Sequence, residues 1–317
     1  MKTLGMAAAA LTGAAICIAA PAAAQRDFSS VEIEAEEVAN GVYVLYGAGG
    51  NIGLSFGEDA VFLVDDQFAP LTDRIQAKVS ELAGAGAEVD FLVNTHWHGD
   101  HTGGNENFGE AGALIVAHDN VRRRMAAGSE GEREVAPAPK AALPVMTFRD
   151  RQSFHINGGT LRAVYAANAH TDGDALIHFV DQNVIHMGDT FFAETAGTFP
   201  FIDRASGGSA QGLLNAADLG LKLANEETKI IPGHGKVTDR AGLAAYRDFL
   251  AEMIGAVQAM IDEGRSRDEI VAARPAAAYA DARSGGFISE DRFVGFVYDS
   301  LTEPAAHSHE DGTTHAH

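Results

Sequence analysis

Cysteine is nearly absent from this chain of 317 residues, and the one cysteine is Cys17. It lies in an apolar, alanine-rich stretch that follows Lys2 and ends at the small residues Ala22-Ala23-Ala24, which are typical of a cleavage site. We therefore expect residues 1–24 to be a signal peptide and the mature protein to be periplasmic or secreted; an uncleaved N-terminal anchor is the alternative. The mature chain would then have no thiol, which excludes disulfides and sulfur metal ligands.

Positive charge is also scarce. The chain has 23 Lys and Arg residues against 44 Asp and Glu residues, a formal net charge of −21. Such a chain repels nucleic acid and anionic lipid surfaces. The basic run Arg122-Arg123-Arg124 is interpreted as the solvated side of a short helix. We expect no nucleic-acid partner and, after signal removal, no membrane partner; the oligomeric state is not indicated.

Short β-branched runs separated by turn residues predict two groups of strands, each followed by helices. The first group is expected at 31–38, 42–46, 52–56, 61–64, 91–93 and 113–117. The second group is expected at 152–156, 161–166, 175–180, 184–187 and 229–231. This order predicts an α+β domain over residues 25–303, with two sheets packed together and helices outside. The histidine-rich segment 304–317 is expected to be a disordered tail.

One run concentrates metal-binding chemistry. His96-Trp97-His98-Gly99-Asp100-His101 follows the strand-like residues 89–93 and precedes Thr102-Gly103-Gly104-Asn105, a glycine-rich segment that we expect to be a mobile loop. Imidazole and carboxylate suit zinc and other borderline or hard divalent ions. Four ligands this close do not fit comfortably around one ion. His96 and His98 are therefore expected to face one ion, while Asp100 and His101 face a second.

Further ligand-type residues follow later apolar runs. His170 begins His-Thr-Asp-Gly-Asp, Asp189 lies in His-Met-Gly-Asp-Thr, and His234 lies in Pro-Gly-His-Gly. Neighbouring glycines allow close approach of backbone or metal. A single histidine in a turn is usually a surface or satisfied residue, so the prediction depends on the conjunction of the four segments.

The chain resembles the metallo-β-lactamase fold superfamily from about Glu32 to about Phe249. Residues 96–101 match the family pattern H-x-H-x-D-H, and the later ligands match in order and spacing. Asp65 matches an early aspartate that supports the metal loop in the family. The resemblance implies an αββα sandwich with two zinc ions at one edge. The implied ligands of the first ion are His96, His98 and His170. The implied ligands of the second ion are Asp100, His101 and His234, with Asp189 bridging the pair or binding the second ion only.

The resemblance implies a hydrolase acting on a small molecule. A bridging hydroxide would attack an amide or ester carbonyl, because bound metals lower the pKa of water towards neutrality. Asp100 is the candidate catalytic residue, which would orient the hydroxide and shuttle a proton. Carboxylate at Asp189 is a harder ligand than thiolate, so iron or manganese is less excluded than at a cysteine site.

The substrate prediction leaves alternatives open. We expect a secreted zinc hydrolase that opens the amide of β-lactam antibiotics, a resistance enzyme. The alternative is a hydrolase of lactones, thioesters or other esters, similar to glyoxalase II, and a third hypothesis is a zinc-holding protein without catalysis. The cysteine-containing β-lactamase subclass places a thiolate where this chain has Asp189, and a lysine where it has Phe192. Phe192 and Arg204 are therefore the candidate substrate-binding residues, with Arg204 replacing the missing cation or simply pairing with an acid such as Asp203.

Overall fold

A computed structural model describes residues 27–129, 135–283 and 285–303. The expected signal peptide (1–24) and histidine-rich tail (304–317) lie outside the described residues, so both stay predictions. By its internal contacts the chain divides into two units, with the boundary in the sequence between Ser30 and Val31. The described part of the first unit is residues 27–30, where the Ser29 amide donates a hydrogen bond to the Asp27 carboxylate (2.8 Å). The second unit, from Val31 onwards, contains all the structure that follows.

Strands and helices alternate through the second unit. The strands are β1 (Glu34–Ala39), β2 (Val42–Tyr46), β3 (Ile52–Phe56), β4 (Val61–Val64), β5 (Phe91–Val93), β6 (Leu114–His118), β7 (Met146–Phe148), β8 (Arg151–Ile156), β9 (Gly159–Tyr165), β10 (Ala175–Phe179), β11 (Val184–His186), β12 (Lys229–Ile231) and β13 (Thr238–Asp239). The α-helices are α1 (Thr72–Ala83), α2 (Gly99–Thr102), α3 (Asn105–Ala111), α4 (Asp119–Ala127), α5 (Ala210–Leu223), α6 (Arg240–Asp262), α7 (Arg267–Ala272), α8 (Ala280–Arg283) and α9 (Glu290–Thr302).

The strands form two mixed sheets. The first sheet has the order β1-β2-β3-β4-β5-β6-β7, in which the first four strands are antiparallel and the last four run parallel. The second sheet has the order β13-β12-β11-β10-β9-β8, in which β11 and β12 are the parallel pair. The antiparallel meander predicted for the first four strands is confirmed, because short turns such as Asn40-Gly41 join neighbours directly.

A layer of apolar side chains lies between the sheets. Phe62 and Val64 alternate with Leu63 along β4, so they share one face of their strand. They pack in one cluster with Phe154 and Phe179 of the other sheet, and the rings of Phe62 and Phe154 meet edge to face at 5.1 Å. Burial of such rings is the main stabilising contribution to this interface.

Helices cover the outer faces of both sheets. On the second sheet, α5, α6 and α9 bury residues such as Leu213, Leu243 and Phe293 in one cluster with Ile185 and Ile230 of the strands. On the first sheet, α4 packs onto β6 through the small cluster that lies around Ala117 and Met125. The predicted α+β sandwich of two sheets with helices outside, αββα, is therefore confirmed. None of the helices in the described ranges is long and apolar enough to cross a membrane.

The segment expected to be a mobile loop after His101 is instead a two-residue turn between two helices. Helix α2 ends at Thr102, and α3 begins at Asn105. Gly103 has helical angles (φ −66°, ψ −25°). Asn105 is fully buried, and its amide and the amide of Asn94 donate to each other's oxygens at 2.9 and 3.0 Å. The Gly104 amide also donates to Asp66 Oδ1 at 2.9 Å, 38 residues away in the chain. This contact, which local composition does not reveal, orders the segment.

Candidate metal centre

The candidate ligands meet because several strand ends lie at one edge of the sandwich. β5 leads into His96, β11 leads into Asp189 and β12 leads into His234, while His170 lies just before β10, which is antiparallel to β11. The ends of neighbouring parallel strands lie at the same edge of a sheet, and the two sheets bring their edges together across the apolar layer. All seven predicted metal ligands therefore fall in two adjoining groups.

The first group contains His96, His98, His170 and Asp189. His98 Nδ1 lies 2.8 Å from His170 Nε2. Asp189 Oδ2 lies 3.6 Å from His170 Nε2 and 4.0 Å from His96 Nε2. His96 and His170 are completely buried, so these nitrogens face each other and the carboxylate rather than bulk water.

The second group contains Asp100, His101 and His234. Asp100 Oδ2 lies 3.4 Å from His234 Nε2 and 3.9 Å from His101 Nε2. Asp189 also reaches this group, through its other oxygen: Oδ1 lies 3.0 Å from His101 Nε2 and 3.5 Å from His234 Nε2. The Asp189 carboxylate therefore presents one oxygen to each group, which is the placement that a bridging ligand requires.

The donor atoms fit divalent cations. Four of them are buried and have no partner with hydrogen-bond geometry: His96 Nε2, His101 Nε2, His234 Nε2 and Asp189 Oδ1. Leaving a polar atom buried without a partner costs about 1–3 kcal/mol. Four such atoms within one pocket, all able to coordinate a cation once the histidines are deprotonated, indicate that the pocket is built for cations.

Partners behind the histidines set which ring nitrogen faces the site. Asp65 Oδ2 lies 2.8 Å from His101 Nδ1 and accepts from Thr95 Oγ1 at 2.7 Å. Thr95 Oγ1 therefore accepts from His96 Nδ1, 3.0 Å away. These bonds leave Nε2 of both histidines with a lone pair directed into the pocket. Asp65 holds this position with left-handed backbone angles (φ 60°), which is strain of the kind that functional sites retain.

The other two histidines of the first group are fixed in the same way. His170 Nδ1 donates to the Phe201 carbonyl at 2.8 Å. His98 Nε2 donates to Asp203 Oδ2, also at 2.8 Å, so His98 turns Nδ1 towards the site. From the sequence, Asp203 was predicted only as a possible partner of Arg204. No spacing signal marks its contact with His98, because the two residues lie 105 positions apart.

Burial and neighbouring charges give the histidines of the two groups different protonation states. Burial lowers the pKa of His170 to about 4, assisted by the neighbouring His98. Burial, with repulsion from His101, also holds the pKa of His96 well below its usual range. Both are therefore neutral at pH 7, as metal ligands must be.

The second group is a set of ion pairs in the absence of a cation. Burial alone would lower the pKa of His234, but the carboxylates of Asp189 and Asp100 outweigh this effect and raise it to about 9. The same carboxylates, with Asp65, raise the pKa of His101. Burial alone would raise the pKa of Asp189, but the positive charges of His101 and His234 hold it well below its usual range. Binding a cation here must displace protons from the histidines.

Two glycines let the backbone approach the ligands. A Cβ on Gly50 would lie 2.0 Å from the ring of His101, and one on Gly233 would lie 2.1 Å from Asp189 Oδ1. No side chain larger than hydrogen fits at either position without displacing a ligand.

Arg204 and Phe192, the predicted substrate-binding residues, differ in their positions. The Arg204 guanidinium donates to the carbonyls of Gly208 (2.8 Å) and Glu303 (3.0 Å), so it holds a loop to the end of α9. Phe192 is completely buried and stacks on His234 (ring centroids 5.5 Å apart, 14° between planes). It supports a ligand from behind. Their predicted role in substrate binding stays a prediction.

A cavity of about 340 Å³ opens beside His234. Its lining comes from the β2–β3 turn, the segment 195–198 and the residues just after His234, together with Phe287. Asn51 fixes one wall, because its side-chain amide donates to the carbonyls of Pro232 and Gly235, both at 2.8 Å. The cavity therefore gives a small molecule access to the second group of ligands.

An αββα sandwich with paired histidine and carboxylate groups at its edge defines a class of metal-dependent hydrolases. The sequence profile of the Metallo-beta-lactamase superfamily matches residues 45–247, and the chain belongs to this superfamily. The match spans β2 to α6, so it includes all seven candidate ligands.

Relatives of known name extend the comparison. The hydroxyacylglutathione hydrolase of Methylococcus capsulatus is 28% identical over 217 residues, which cover 66% of this chain and 72% of that protein. The beta-lactamase-like protein 2 homolog of Caenorhabditis elegans is 27% identical over 180 residues, 56% of this chain and 53% of that protein. Among solved structures, a metallo-beta-lactamase from Pontibacter korlensis superposes with a TM-score of 0.58 at 17% identity, covering 69% of this chain and 99% of that one. This last likeness shows a shared fold.

Proposed function

We propose that the protein is a dinuclear metal-dependent hydrolase of thioesters and other carboxylic esters. The observation that carries the proposal is the placement of Asp189, whose two oxygens face the two ligand groups. The similarity to a hydroxyacylglutathione hydrolase over two thirds of the chain supports the ester and thioester class. The alternative class from the sequence thus has better support than the β-lactam class that the sequence placed first.

His96, His98 and His170 would hold one ion, Asp100, His101 and His234 the other, and Asp189 both. When bound, two divalent ions supply Lewis acidity towards a carbonyl oxygen and lower the pKa of water. Zinc is the ion that we propose, because imidazole and carboxylate donors suit it. The residues behind the ligands keep this set rigid, so little reorganisation is needed during reaction.

Asp100 is the residue that we propose for proton movement. Its side chain is 31% exposed, whereas that of Asp189 is 5% exposed, so Asp100 reaches towards the solvent side of the pocket. Burial would raise its pKa, but His101 and His234 lower it below the usual range. The carboxylate therefore stays ionised at pH 7. It would take a proton from the water as the water oxygen bonds to the carbonyl carbon, and would give that proton to the departing thiolate or alkoxide as the carbon–sulfur or carbon–oxygen bond breaks.

Hydrolysis assays with matched variants test the proposal. The zinc-loaded protein is expected to cleave acyl thioesters and activated esters, and to lose this activity with a chelator or in His96→Ala. His155→Ala is the control, because His155 is an exposed histidine on β8. Efficient opening of a chromogenic cephalosporin without thioester cleavage would restore the β-lactam class. No cleavage of any ester, thioester or amide by protein with full metal content would contradict a hydrolase.

A further inference from the structure

One cation stands in the wall of the cavity beside His234. Lys236 follows that ligand by two residues, and both side chains line the same space. Among the described residues of the lining, Lys236 is the one with a permanent positive charge. From the sequence, Arg204 was predicted either to bind substrate or to pair with an acid, and its guanidinium donates to two backbone carbonyls.

Contacts hold Lys236 in a defined place. Its ammonium lies 3.8 Å from the centroid of the Tyr46 ring, and its backbone amide donates to Thr195 Oγ1 at 2.8 Å. The Tyr46 hydroxyl in turn accepts from the amide of Val237 at 3.3 Å and donates to Glu36 at 3.0 Å. The cation–π contact and the anchored backbone restrict where the charge lies, which reduces the entropy lost when it binds a ligand.

The charge of Lys236 is available to a ligand. Within the described ranges no carboxylate oxygen lies within 4.0 Å of its ammonium, although the chain as a whole carries a net charge of −21. Glu36, the acid on the far side of Tyr46, bonds to the phenol hydroxyl rather than to the ammonium. A lysine held beside a reaction centre and left without an acidic partner suits an anionic ligand.

We propose that Lys236 is a specificity determinant that binds a carboxylate on the leaving-group side of the substrate. This inference rests on the proposed function and narrows it to thioesters and esters whose leaving group carries an acid. The leaving group is placed on this side because Asp100, which we propose to protonate it, belongs to the same ligand group as His234, and His234 lines the cavity.

Matched substrates and variants test the role of Lys236. The substrates are S-acetyl thioesters of short mercapto-acids, from mercaptoacetate to mercaptobutyrate, each paired with its uncharged primary amide. The ratio of kcat/KM for acid over amide is expected to fall about tenfold in Lys236→Gln, mainly through KM, as for loss of one charged hydrogen bond. Lys236→Arg is expected to restore most of the ratio. Lys222→Gln, which removes an exposed lysine on α5, is the charge-matched control with an unchanged ratio.

A binding measurement separates failure of this inference from failure of the proposed function. The S-ethyl thioether of the preferred mercapto-acid is titrated by calorimetry into zinc-loaded wild type, Lys236→Gln and Lys222→Gln. Weaker binding to Lys236→Gln alone supports the carboxylate site even if no thioester is cleaved, which would contradict only the hydrolase proposal. Equal binding to all three proteins, or an equal acid-to-amide ratio in an active enzyme, would overturn the role of Lys236 and leave the hydrolase proposal standing.

Discussion

Replacement of Asp65 by asparagine tests how the two ligand groups are supported. Asp65 is completely buried and accepts three hydrogen bonds: Oδ2 from His101 Nδ1 and Thr95 Oγ1, and Oδ1 from the Thr95 amide. Asparagine keeps the shape and one acceptor, but it places an NH₂ group against the two donors at Oδ2. The variant therefore loses two bonds to a charged acceptor, each contributing about 1.5–3 kcal/mol.

We expect that loss to appear in two quantities. The free energy of unfolding is expected to fall by about 3 kcal/mol, since part of the loss is relieved by rotation of His101. Affinity for the ion of the second group is expected to fall about 10- to 100-fold, because His101 no longer has a fixed tautomer. The ion of the first group is expected to be weakened less, because Asp65 reaches His96 only through the Thr95 hydroxyl. Chelator competition followed by elemental analysis measures the two ions, and urea unfolding measures stability.

Asp203→Asn is the matched control for Asp65→Asn. Asp203 holds His98 of the first group through one bond of 2.8 Å, as Asp65 holds His101 of the second. We expect the control to weaken the other ion and to change stability less, because Asp203 is partly exposed whereas Asp65 is buried. Equal loss of both ions in both variants, or no loss in either, would refute the assignment of His101 and His98 to different ions.

Three further predictions concern pH, backbone approach and the core. The pKa of His234 is raised to about 9, so its stabilising effect on the metal-free protein is complete below pH 6.5 and is lost as pH rises through 9. Urea unfolding across this range should show a decline that is smaller in His234→Gln, where His101, whose pKa is also raised, still contributes. Gly233→Ala is expected to lower metal content at equal protein concentration, since its Cβ would lie 2.1 Å from Asp189 Oδ1, and full metal content would contradict this. Phe62→Ala is expected to cost about 3–5 kcal/mol of unfolding free energy, because the ring is fully buried between the sheets; a loss below about 1 kcal/mol would contradict its place there.

Much of the fold follows from local sequence. The bounds predicted for β2, β3, β4, β5 and β12 agree with the structure, because short β-branched runs end at glycine, proline or acidic turn residues. The edge strands β7 and β13 were missed. They have three and two residues, and their pairing depends on a neighbour rather than on their own alternation. Local pattern cannot reveal elements that exist through a partner.

The same difference between local sequence signals and distant contacts applies to the residues of the candidate metal centre. The seven candidate ligands, which the structure brings together, could be singled out because each lies in a local motif of histidine or aspartate with glycine beside a strand. Asp203 and Lys236 could not, because each makes its contact with a residue that is distant in the sequence. Asp203 reaches His98 across 105 residues, and Lys236 of the segment after β12 lies against Tyr46 of β2. Arg204 was predicted to bind substrate because its charge could replace a missing lysine. In the structure its guanidinium donates to backbone carbonyls.

The metal content of the purified chain tests the central claim most directly. Elemental analysis of the zinc-reconstituted protein, after removal of free metal, is compared with that of Asp189→Ala, which removes the carboxylate shared by the two ligand groups. The chain is predicted to hold two tightly bound ions, with both bound more weakly in Asp189→Ala. One ion or none in the wild-type protein, or two equally tight ions in the variant, would contradict a shared dinuclear centre.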